Sequence, residues 1–127
     1  MFRPEDLISR YSRADAIADG VLIDVTKTAR EAGYKTPIAL TRAVWQRCVV
    51  VPTGVACQDE AGRLWDVLWM LACAAHKAPA AADTIRFGVH VRTSNGDEVP
   101  PLVLLKAVCG PGDNGEPVVT VMMPDED

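Results

Sequence analysis

No stretch of this 127-residue sequence stays apolar for long enough to cross a bilayer. The most apolar run, Leu64–Ala75, is broken by Asp66 and falls short of the roughly 20 residues that a spanning helix needs. No secretory signal is expected, because the opening residues carry Glu5 and Asp6 and lack a long apolar segment. The four cysteines, Cys48, Cys57, Cys73 and Cys109, include no C-x-x-C pair, and neither His76 nor His90 stands at ligand spacing from any of them. Buried thiols are therefore expected, and no metal. A G-x-S-x-G nucleophile elbow is also missing. What remains is the expectation of a cytoplasmic protein without membrane contact or cofactor.

What is present fits one domain covering residues 1–127. The sequence is 49% apolar, enough for one ordinary core, and its 24% charged fraction is typical of globular proteins. The formal net charge of -4 argues against direct nucleic-acid binding, which draws its affinity from Lys and Arg set against phosphate. Charge is unevenly placed: residues 1–56 hold eight basic and six acidic side chains, residues 77–127 four basic and eight acidic. The second half is thus the acidic one.

Local patterns give a coarse order of elements. Residues 1–56 read as a mixed, largely helical part. Ser12 with Asp15 forms a capping-box pattern for a short helix that Gly20 ends, Val21–Val25 reads as a strand, and Thr26 opens a second helix ending at Gly33. Thr36-Pro37 looks like a helix entrance, so a helix is expected from Pro37 to about Arg47, followed by extended chain to Pro52. Residues 57–78 should hold the central core helix. Asp59 and Glu60 suit its N-terminus and His76 and Lys77 its C-terminus, with one stripe of Leu64, Leu68, Leu71 and Ala75 beside another of Trp65, Trp69 and Ala72.

From residue 84 the period changes to two. Ile85, Phe87, Val89 and Val91 alternate with Arg86, Gly88, His90 and Arg92, as in a half-buried strand, and Asn95-Gly96 is a hairpin dipeptide. Pro101–Gly110 and Glu116–Pro124 read as further strands. The expected fold is α+β, with helices packed on one face of a C-terminal three-stranded antiparallel meander over residues 84–124.

Chemistry is sparse. The stretch GPGDNGEP has glycines but no Lys, carries Asp113 and Glu116, and falls between two strands, so it reads as a turn rather than a phosphate loop. The spacing of a calcium loop is absent. Asp24, a carboxylate in an apolar strand, either caps the turn that follows or has a raised pKa. Arg13, Arg30 and Arg42 could grip a carboxylate or phosphate if they converged. Asp113, Glu116, Asp125, Glu126 and Asp127 bracket the final strand and form the candidate partner-binding surface.

The blocks YSRADAIADGVLIDVTKTAREAGYKTPIALTRAVW, GRLWDVLWML and GPGDNGEPVVTVMMPDED together resemble a domain-of-unknown-function family of small bacterial proteins found mainly on plasmids, integrative elements and prophage islands. That family has no assigned activity, so no residue role is carried over. The resemblance implies an accessory protein that works by binding another protein, antirestriction and anti-CRISPR roles included, without catalysis of its own. The alternative is a small enzyme or ligand-binding domain built on Asp24 and the arginines.

Overall fold

The computed structural model describes residues 11–96 and 98–127. Helix α1 spans Arg13–Ala18, and its start is the capping box read in the sequence: Asp15 N donates to Ser12 Oγ at 2.9 Å, and Ser12 N to the Asp15 carboxylate at 3.2 Å. Strand β1 (Leu22–Asp24) and helix α2 (Thr26–Glu31) follow. Gly20 and Gly33, at φ 75° and 99°, hold the left-handed conformations that end the two helices.

The next segment departs from expectation. Ile38–Thr41 is not the start of a helix but strand β2, and only then does a short helix, α3 (Arg42–Val44), run into a π-type turn over Trp45–Val49. Thr41 rather than Thr36 caps it, its hydroxyl accepting from Val44 N. The long helix α4 spans Glu60–Lys77, with Asp59 accepting from Gly62 N at 2.6 Å. Strands β3 (Thr84–His90), β4 (Leu102–Pro111) and β5 (Pro117–Met122) complete the order.

The five strands form one mixed sheet in the order β1-β2-β5-β4-β3. The expected three-stranded meander is corrected by this finding. Strands β3, β4 and β5 do pair antiparallel, but β5 also pairs parallel with β2, Ile38 facing Val119, and β2 pairs antiparallel with β1. The physical reason is burial on both faces. Ile38, Ala39 and Leu40 are all fully buried, so this four-residue strand shows no alternation, and a short apolar run reads equally as helix.

Helices are not confined to one face either. On one side, Leu64, Val67, Leu68 and Leu71 of α4 pack with Ala29 of α2 and Val44, Cys48 and Val49 against Ile38, Leu40, Phe87, Leu105 and Val121 of the sheet. On the other, Ala16 of α1 borders the same cavity as Thr120 and Met122 of β5, and Arg13 bonds to Thr120. The Asn95-Gly96 dipeptide does not make a tight hairpin. It sits in the long loop between β3 and β4, where the Asn95 side chain accepts from Ala56 N and donates to Gly54 O, both at 2.8 Å.

Candidate functional site

The residues proposed from sequence for a ligand site have separate structural tasks. Asp24 Oδ1 accepts from Thr26 N at 3.0 Å and from Thr26 Oγ1 at 2.5 Å, capping the start of α2. Arg13 donates to Thr120 Oγ1 at 2.7 Å and to the Val119 carbonyl at 2.9 Å, fastening α1 to β5. Arg42 Nε donates to Gly20 O at 2.9 Å and so closes the α1–β1 turn, while Arg30 is exposed on α2. Arg13 lies within electrostatic range of Asp24, whereas Arg42 is tied to the carbonyls of Asp19 and Gly20.

The acidic set also divides. The Asp113 carboxylate accepts from the backbone N–H groups of Arg13 (2.8 Å) and Ala14 (3.0 Å), the first amides of α1. These bonds hold its pKa below the usual carboxylate range. Glu126 Oε1 accepts from Thr41 Oγ1 and Met123 N, both at 2.8 Å, and Glu116 Oε2 from Asn114 N at 2.9 Å. Asp125 and Asp127 are exposed.

Asp113→Asn is therefore expected to lower the melting temperature at neutral pH. A depressed folded-state pKa contributes stability that is present above the unfolded value of about 3.9 and lost as pH falls through the folded value. Melting curves of wild type and variant should converge in acid. A gap that stayed constant across the pH series would show that the carboxylate charge does not anchor α1.

The cysteine reading holds for Cys48, whose thiol burial pushes up to about 11. Cys57 and Cys109 are exposed and Cys73 half-buried. Among the described residues, no three His, Cys, Asp or Glu side chains gather as a metal site requires. No described helix is long and apolar enough to cross a membrane.

What stands out is the outer face of α4. Pairs of buried and exposed residues alternate along it: Arg63 and Leu64 in, Trp65 and Asp66 out, Val67 and Leu68 in, Trp69 and Met70 out. The sequence showed a helix apolar around much of its girth, which read as the central core helix. Only the leucine stripe is enclosed. Trp65, Trp69 and Met70 are 40%, 56% and 39% exposed. Soluble proteins seldom leave such aromatic area uncovered without a use for it.

A shallow cavity of about 340 Å³ adjoins this face, lined by Ala72, Ala75 and His76 of α4 and by Ala32, Gly33 and Tyr34 beyond α2. Tyr34 is fixed as its wall, since its hydroxyl donates to the Leu68 carbonyl at 2.7 Å, and burial pushes its pKa up to about 12. The helix is also polarised along its length. Asp59 and Glu60 stand at one end, His76 and Lys77 at the other.

A family model matches residues 1–127 along this whole arrangement. The chain belongs to the family of unknown function DUF6573. No curated protein and no solved structure matches it. In this DUF6573 member the functional features must accordingly be read from its own residues. Besides the tryptophan face, sequence reasoning missed Arg63, which is buried at the start of α4. Its only trace in the sequence is one basic residue facing the leucine stripe, where a flexible arginine normally reaches solvent.

Proposed function

We propose that the protein works by protein–protein association through the outer face of α4, as an accessory protein of a bacterial mobile element. A block of a host defence protein is one form of that role. The exposed Trp65–Trp69 pair carries this reading. The separate structural bonds of Arg13, Asp24 and Arg42 support it over the enzyme built on Asp24.

The occupant that fits the face is a second copy of this chain, with its α4 running antiparallel. With a two-fold axis at the middle of the helix, Trp65 of one copy falls opposite Ala72 of the other. Each Trp65 indole then meets the cavity beside Ala72, Ala75 and Tyr34. A self-complementary patch of this kind is what a two-fold interface requires. The helix is about 27 Å long at about 1.5 Å per residue, which makes a small contact and a dimer that forms at micromolar concentration.

Sedimentation across a concentration series should show the mass rising from monomer to dimer, with tryptophan emission shifting to the blue. Trp65→Ala combined with Trp69→Ala should stay monomeric, with little change in melting temperature because both side chains are exposed. A wild-type protein that remains monomeric at every concentration would refute the second copy as occupant.

A further inference from the structure

We propose that Arg63 is the carboxylate-binding group of a small-molecule site, and that the ligand is an α-amino carboxylate such as a free amino acid. This site is separate from the tryptophan face and rests on different observations. Arg63 is 4% exposed, and its Nε donates to the Cys48 carbonyl at 3.0 Å. Neither Nη1 nor Nη2, both buried, has a hydrogen-bond partner among the described residues. A buried cation with its fork of donors free is costly, and the geometry of that fork matches a carboxylate through two parallel bonds.

The surroundings are built to hold the arginine in place. The Cys48 carbonyl comes from the π-type turn, a wider coil that recurs at functional sites. A cavity of about 490 Å³ beside Arg63 is lined by Cys57, Gln58, Asp59, Gly62 and Asp66. Cys57 adopts φ 61°, a left-handed conformation uncommon outside glycine that marks strain at binding sites. The loop before it is clamped through Gly54 and Ala56 by Asn95. Gln58, Arg63 and Asp66 also line a smaller space behind, beside His90.

The charges choose the ligand class. Asp59 and Asp66 line the same cavity as Arg63, and they would repel a phosphate dianion. An α-amino carboxylate satisfies both signs: its carboxylate meets the Arg63 fork, and its ammonium group meets the Asp66 carboxylate and the Gln58 carbonyl oxygen. Burial raises the Asp66 pKa, and a ligand cation beside it would reverse that shift.

The test is calorimetry and thermal shift on the full chain with the common amino acids, using acetate, inorganic phosphate and 2-hydroxy acids as comparison probes. At least one amino acid should bind saturably and raise the melting temperature by mass action. Arg63→Met should weaken that binding at least tenfold, on the scale of a lost charge-assisted contact. Should Arg63→Met fail to fold, the exposed Asp66→Asn serves instead. It should bind an amino acid no better than the matching 2-hydroxy acid, whereas wild type prefers the amino acid. No binding by any amino acid, equal binding of phosphate, or binding unchanged in Asp66→Asn would each overturn the proposal and leave Arg63 a structural residue.

Discussion

Leu68→Asp is expected to abolish the folded state. Leu68 is fully buried in the cluster that joins α4 to the sheet, and its carbonyl receives the Tyr34 hydroxyl. An aspartate there either buries a charge without a partner or takes up a proton. Either course costs several kcal/mol against a total stability of about 5–15 kcal/mol. Circular dichroism should show no cooperative melt. Trp69→Asp, one residue on but facing outward, should melt close to wild type. Equal melting of Leu68→Asp and wild type would mean that α4 does not pack through this stripe.

Ala39→Pro should have a similarly large effect, and it separates the two readings of residues 37–47. Near the first turn of a helix, proline is well tolerated. In β2, Ala39 lies between Asp24 of β1 and Thr120 of β5, so its strand is paired on both sides. Proline there removes a ladder donor from the middle of the sheet, a position from which it is almost excluded. A loss of about 3 kcal/mol or more is expected, read as a collapse of the urea midpoint. A variant as stable as wild type would return the segment to a helix.

The contrast between these segments explains what the sequence could disclose. The box at Ser12 and Asp15, the acidic start and basic end of α4, and the period of β3 are encoded within a few neighbouring residues, and all three are legible. Strand β2 is not, because what makes Ile38–Thr41 extended is Val119 and its neighbours, far away in the chain. The enclosed leucine stripe and open tryptophan stripe of α4 are likewise indistinguishable by hydropathy alone. Arg63 was hidden for the opposite reason: arginine is so ordinary on a helix that its burial leaves no pattern. Asp113 and Arg13 each looked like surface charge, and only their pairing across the fold gives them a structural use.

The strand order carries a consequence for how the protein comes to be made. Strand β5 is the last of the five in the chain and occupies the centre of the sheet, with β1 and β2 on one flank and β3 and β4 on the other. During synthesis the two flanks emerge as pieces that share no neighbouring strand until residues 117–122 have been made. The parallel pairing of β2 with β5 closes a long loop, a slow class of event in folding. The apolar edge of β2 therefore waits uncovered while residues 42–116 are made, and the growing chain is most aggregation-prone just before β5 arrives.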